Sequence, residues 1–138
     1  MKRFEVIEHT ADTGIRAFGK DLKEAFENAA YGMFSLVADL SKVEEKEDRD
    51  VAVEAEDREE LLVEWLNELL YLLEVDGLIF KSFKIDEIGE HYLKARVFGE
   101  PADREKHDLG IDIKAVTYHM LKVGKTDNVW ETQAIFDV

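Results

Sequence analysis

Val129-Trp130-Glu131-Thr132-Gln133-Ala134-Ile135-Phe136-Asp137-Val138 decides how the rest of the chain is read, because its side chains alternate with a period of two. Trp130, Thr132, Ala134, Phe136 and Val138 share one face, and Glu131, Gln133, Ile135 and Asp137 share the other. The segment reads as a strand in which Asp137 points away from the apolar row. Just before it, Lys125-Thr126-Asp127-Asn128 reads as a hairpin connection. Strand patterns recur upstream over residues 78–85, 91–98 and 110–120 or beyond. At the other end Phe4, Val6 and Glu8 alternate, and Ile15, Ala17 and Gly19 resume that period beyond a turn over residues 9–15.

Two segments carry the helical period instead. In residues 21–39, Leu22, Ala25, Phe26, Ala29, Ala30, Met33, Phe34 and Val37 recur at spacings of three and four, and Asp21 with Glu24 makes a capping pair. Gly32 costs roughly 1 kcal/mol relative to alanine inside a helix, which marks it as a point of close packing. Residues 58–75 make the second helix, with Asp57 and Glu60 at its start and Asp76-Gly77 at its stop. Its leucines and Trp65 spread too widely for one face, so it should be buried on more than one side. Glu64, Asn67, Glu68 and Glu74 are left for a solvated face.

Residues 41–50 read as a charged linker ending at an edge strand with Val51, Val53 and Ala55 inward. Residues 99–109 hold the only proline, Pro101, and read as a mobile loop. Strands gathered after two isolated helices, with no internal repeat, predict one α+β domain over residues 1–138. Its expected architecture is a mixed or antiparallel β-sheet packed with two main amphipathic helices, not a wound parallel sheet.

The 138 residues are 46% hydrophobic, enough for one core. No run approaches the roughly 18 apolar residues of a membrane span, and the first five residues lack an apolar signal core, so no membrane association and a cytoplasmic location are expected. With no cysteine, disulfides, thiolate metal sites and cysteine nucleophiles are excluded, and oxygen and imidazole remain as metal donors. Thirty-two acidic against eighteen basic residues give a net charge of −14, a field that repels phosphate backbones. Direct nucleic-acid binding is therefore not expected, and a basic protein is the natural partner. The same charge also serves solubility, or growth at high temperature.

The chain has no G-x-S-x-G elbow, phosphate loop, G-x-G-x-x-G or H-E-x-x-H, and His9, His91, His107 and His119 have no metal-ligand spacing. Two places carry candidate chemistry. In His9-Thr10-Ala11-Asp12-Thr13-Gly14-Ile15, Gly14 suits a reversal with φ > 0, and Asp12 can bind a cation, receive a basic group or brace the turn through an Asx hydrogen bond. Asp137-Val138 puts a side-chain carboxylate, a carbonyl and the terminal carboxylate within two residues, and such clustered oxygens call for a neutralising cation or basic group. Were strand order to bring them beside Asp12, a calcium-like site would form; a frayed end is the alternative. In Lys114-Ala115-Val116-Thr117-Tyr118-His119, alternation puts Thr117 and His119 on one face and Lys114 and Tyr118 on the other. An acid/base pair of His119 with Asp12 would make the chain an independent enzyme.

Four motifs in order, His9-Thr10-Ala11-Asp12, Glu64-Trp65-Leu66-Asn67-Glu68-Leu69-Leu70-Tyr71-Leu72, Lys114-Ala115-Val116-Thr117-Tyr118-His119 and Asp137-Val138, resemble the archease family across essentially the whole chain. The resemblance implies an accessory protein rather than a self-sufficient enzyme. Its expected partner is the GTP-dependent tRNA-splicing RNA ligase, whose guanylylation and multiple turnover it would promote, with a chaperone-like ability to widen nucleotide choice. The resemblance also implies a divalent-metal site on Asp12, Asp137 and Val138, with calcium as the ion and magnesium as the alternative. Lys114 follows as a functional position, with His9 and His119 as further partner-binding candidates. The competing reading is a metal-independent acidic interaction or chaperone-like module with no ligase-specific role.

Overall fold

Both long helices begin on an aspartate, as the capping pairs predict. In the computed structural model, which describes residues 2–9 and 12–138 with every side chain but that of His9, helix α1 spans Leu22–Val37 and helix α2 spans Arg58–Asp76. Asp21 accepts the Glu24 N–H at 2.8 Å, and Asp57 accepts the Glu60 N–H at 2.8 Å. Each cap satisfies a donor that the first turn leaves without a helical partner. Gly77 ends α2 at φ +66°, a left-handed conformation that glycine enters without steric cost. Gly32 does mark a close approach, since a Cβ there would stand 3.0 Å from the ring of Phe4.

The strands sort into two antiparallel sheets. One contains β1 (Phe4–His9), β2 (Asp12–Gly19), β6 (Ala115–Val116), β7 (Lys122–Thr126) and β8 (Val129–Asp137), in the order β1-β2-β8-β6, with β7 also paired to β8. The other contains β3 (Glu47–Glu54), β4 (Leu78–Ile88) and β5 (Tyr92–Pro101), in the order β3-β5-β4. A 3₁₀ turn, Leu40–Lys42, and a short helix α3, Arg104–His107, complete the chain order. Both α1 and α2 pack against elements of both sheets, so α2 is buried on more than one side. They meet one continuous core in which Trp65, Phe26, Phe34 and Phe80 are fully buried. The Trp65 indole N–H donates to the Phe26 carbonyl at 3.0 Å, which gives the core's largest side chain a polar partner. The result is an α+β fold.

Several local expectations are corrected. Residues 47–50 belong to β3 rather than to a linker, because Arg96 on β5 stands opposite Asp50 and bonds it at 3.2 Å, giving the charged residues cross-strand partners. The expected strand over residues 110–120 is paired only at Ala115–Val116. Thr117 stops it: its N–H and its hydroxyl both donate to the Ile135 carbonyl, at 2.9 and 3.0 Å, while its hydroxyl oxygen accepts the His119 N–H at 3.2 Å. That local turn competes with the ladder and leaves Met120 at φ +53° before β7 resumes pairing with β8. Strand alternation therefore does not set the direction of Tyr118 or His119. Asn67 is not part of a solvated face: its side-chain oxygen accepts the Val116 N–H at 2.9 Å and ties α2 to β6.

Candidate functional site at one end of the five-stranded sheet

Register builds the site. His9 pairs with Asp12 across β1 and β2, and Ala115 pairs with Asp137 across β6 and β8. β2 and β8 run in register from Thr13 opposite Phe136, and one further step sets Asp12 alongside Asp137. The segment ends that sequence kept apart thus form one transverse row, His9, Asp12, Asp137 and Ala115, at one end of the sheet. Residues level with each other on neighbouring strands share a face, with Cβ atoms about 4.5–5.5 Å apart. Ile15 and Ala17, opposite Ala134 and Thr132, fill the core, so alternation turns Asp12 and Asp137 to the other face, where both are exposed.

Asp12 is a strand residue rather than a turn brace, and Gly14 also lies within β2, outside the left-handed region. Glycine is required at that position for a different reason: a Cβ would stand 2.5 Å from the Ala134 carbonyl oxygen and 2.6 Å from the Ile135 side chain. The missing side chain lets β2 and β8 close up directly beneath the acidic pair. Thr10, Ala11 and the side chain of His9 lie outside the described residues.

Cations on the same face are already engaged. Arg16 holds Glu5 at 2.7 Å, Gln133 at 2.8 and 3.1 Å and Glu131 at 3.3 Å, and its hydrogen bond lowers the Glu5 carboxyl below its usual value. Among the described residues no ion pair reaches Asp12 or Asp137, so two like charges stand side by side without a counter-charge. Their carboxylate oxygens are the donor type a hard dication takes. Among the described residues no group of three or more His, Cys, Asp or Glu is arranged to hold a metal, and the Asp137 carbonyl already accepts the Lys114 N–H at 2.8 Å. A calcium ion takes about six to eight oxygens, so the donor set fits part of its shell and leaves the remainder to groups from outside this sheet end.

Family comparison covers the same ground. Residues 4–138 match the model of the Archease protein family (MTH1598/TM1083). The chain belongs to the archease family. It is 46% identical to Protein archease of Pyrococcus abyssi, covering 100% of both chains, and 45% identical to Protein archease of Methanosarcina acetivorans, covering 99% of this chain and 97% of that one. Among solved structures it resembles Methanobacterium thermoautotrophicum protein 1598, at 39% identity and a TM-score of 0.83 over the whole of both chains. A Thermotoga maritima protein described as an archease, possible chaperone, shares the fold at 22% identity and a TM-score of 0.66, covering 96% of this chain and 94% of that one.

In this archease the remaining sequence candidates separate. Lys114 adjoins the acidic row through its main chain, and the residue itself lines a neighbouring cleft of about 850 Å³. His119 is exposed in the turn after Thr117, and β8 lies between that segment and β2, so the structure does not bring His119 to Asp12 as an acid/base partner.

A further titratable cluster lies under the short helix α3. Residues 99–109 are not a free loop, because His107 is fully buried and clamped at both ring nitrogens. Its Nδ1 accepts the Asp103 N–H at 2.9 Å, which leaves Nε2 as the protonated nitrogen, donating to Glu100 at 3.0 Å. Glu100, 4% exposed, also accepts from the Glu44 N–H at 2.7 Å and from Lys106 at 2.9 Å. Burial alone would raise this carboxyl, but hydrogen bonds from Lys106, the Glu44 N–H and His107 outweigh it and lower it to about 2. The available signal was Asp103 ahead of Arg104-Glu105-Lys106-His107, an N-cap in front of a short helix; Asp103 accepts the Glu105 N–H at 2.9 Å.

Proposed function

We propose that this chain is a non-catalytic accessory protein of the GTP-dependent tRNA-splicing RNA ligase, acting in the cytoplasm to promote ligase guanylylation and multiple turnover. Family membership over residues 4–138 supports the assignment, and the adjacent, exposed Asp12 and Asp137, which form no ion pair among the described residues, are the observation that carries it. An acidic chain of net charge −14 complements a partner that must hold phosphates in a basic channel. Asp12, Asp137 and Val138 would hold a divalent ion, calcium or magnesium, and such an ion supplies positive charge to phosphate oxygens during nucleotidyl transfer. The work of the chain's own residues is positional. The sheet end presents the two carboxylates on paired strands, Gly14 lets those strands pack closely, and the Lys114 N–H holds the main chain at Asp137.

The test is a guanylylation time course of the purified cognate ligase with GTP, alone and with wild-type chain, Asp12→Ala or Asp137→Ala. The expected result is acceleration by the wild type and loss of most of it in either variant. Acceleration by Asp12→Ala at the wild-type rate overturns the role of the row, and no acceleration by the wild type overturns the assignment. Calcium titration by calorimetry reports the ion separately, and equal affinity in wild type and Asp137→Ala would remove the metal from the proposal.

A further inference from the structure

Along its outer side β8 is paired first with β7 and then with β6, and between them the chain leaves the ladder. Val116 stands opposite Phe136 and Thr117 donates its N–H to the Ile135 carbonyl at 2.9 Å, whereas Lys122 stands opposite Gln133. Residues 118–121 are therefore set against the single residue Ala134, a bulge wider than the usual one extra residue. Leu121 packs its side chain against the core, but Tyr118, His119 and Met120 are all exposed. Tyr118, 64% exposed, is the most exposed large apolar side chain among the described residues, and Met120 is 48% exposed.

The extruded turn is tied down by polar groups. The Thr117 hydroxyl donates to Ile135 and accepts the His119 N–H, and the Gln133 side-chain amide donates to the Met120 carbonyl at 2.9 Å. Gln133 is itself held, because its Oε1 accepts from Arg16 at 2.8 and 3.1 Å, and Arg16 is paired with Glu5. A line of contacts from β1 through β2 and β8 thus ends on the main chain of Met120, whose φ of +53° is a left-handed conformation that strains any residue with a Cβ. Apolar side chains stabilise a fold when they leave water, so Tyr118 and Met120 contribute little to this one where they stand. Their placement is maintained at a cost to the fold, which points to a use outside it.

The bulge and the acidic row lie on one face. Gln133, Ile135 and Asp137 alternate along β8 and face the same way, so the side chain that holds Met120 is on the side of Asp12 and Asp137. Gln133 and Asp137 are roughly 14 Å apart at the usual rise of a strand. A protein–protein contact of ordinary size covers about 800 Å² on each partner, roughly 30 Å across, so a protein seated on the row also reaches the bulge. Val138, 48% exposed, adds an apolar residue at the row itself.

We infer that Tyr118 and Met120 are the apolar anchors by which this chain docks on its protein partner, filling an apolar recess beside the basic channel that receives the acidic row. The inference rests on the ligase-accessory reading and divides its labour: the bulge supplies affinity, and the row acts on the transfer step. Tyrosine and methionine are enriched at the buried centres of interfaces, where a few large side chains carry most of the binding energy. A turn already held in its bound shape loses little freedom on docking.

The experiment measures binding of the full-length chain to immobilised, purified ligase by biolayer interferometry, together with the chain concentration that gives half-maximal acceleration of guanylylation. Tyr118→Ala/Met120→Ala should weaken binding by roughly ten-fold or more and raise the half-maximal concentration by the same factor, with the rate at saturating chain unchanged. Its melting temperature should match that of the wild type, because both side chains are exposed. Asp137→Ala should show the opposite split, a lower rate at saturation. Tyr71→Ala/Val75→Ala removes a comparably exposed apolar pair on α2 and should bind as the wild type does. Equal affinity of the wild type and Tyr118→Ala/Met120→Ala overturns the inference and leaves the ligase assignment standing. Equal weakening by the α2 pair does the same, since it would mark general apolar adhesion. No binding of the wild type to the ligase overturns the assignment, and the inference with it.

Discussion

Glu100 and Asp12 are both carboxylates on strands, yet their surroundings are opposite. Glu100 sits 4% exposed under α3 with Lys106, His107 and the Glu44 N–H all donating to it. Asp12 stands exposed at a strand end beside Asp137, with no ion pair among the described residues. The glutamate, histidine and lysine look more like a catalytic constellation, but every polar atom named there has a partner inside the protein, so the cluster acts as a clamp on residues 99–109. The acidic pair looks like ordinary surface, and it is where negative charge has no ion-pair partner among the described residues. Because the groups around Glu100 satisfy one another, free binding capacity is found at the sheet end and not under the helix.

The largest expected effect is at the clamp. Glu100→Ala should destabilise the fold by about 3 kcal/mol, because it strands a buried imidazole N–H and the Glu44 N–H without an acceptor. Chemical denaturation measures it, and a loss no larger than that of a typical surface substitution would show that these hydrogen bonds do not hold residues 99–109 in place. A pH series sharpens the same contrast. The Glu100 carboxyl lies at about 2 in the folded state against an ordinary value of 4.5. Between those values the unfolded chain binds more protons, so this contribution is complete above about pH 4.5 and is lost as pH falls toward 2. The urea midpoint of the wild type should therefore fall more steeply through that window than that of Glu100→Gln; parallel curves would contradict the clamp. The smallest effect, of opposite sign, belongs to the row. Asp12→Asn or Asp137→Asn relieves a like-charge contact and should raise stability by on the order of 0.5 kcal/mol, less at high salt. Added calcium should raise the melting temperature of the wild type and not of either variant, since an ion selective for the folded state stabilises it by mass action.

Much of the candidate site was legible in residues of the right type at the right strand phase: alternation around Asp137 already turned it away from the apolar row. What alternation could not supply was the partner strand. Asp12 reads in sequence as a turn residue, and only pairing with β8 makes it the neighbour of Asp137. Thr117 shows the same limit from the other side, since its hydroxyl ended a strand that residues 110–120 otherwise patterned well. Asn67 and residues 99–109 depart from the solvated face and mobile loop that their composition suggests for a related reason: each is held by a polar partner distant in sequence or by a short helix that composition alone does not reveal.

The sequence by itself determined both long helices, their aspartate caps, the left-handed stop at Gly77, the turn at Asp127-Asn128 and the phase of the last strand. These features rest on contacts within about four residues, which local order dictates. Tertiary structure alone decided that the strands divide into two sheets, that β2 lies against β8, and that Asp12 and Asp137 stand side by side while Glu100 closes over His107. Those are pairings between remote segments, chosen by which faces bury together and which polar groups then find partners.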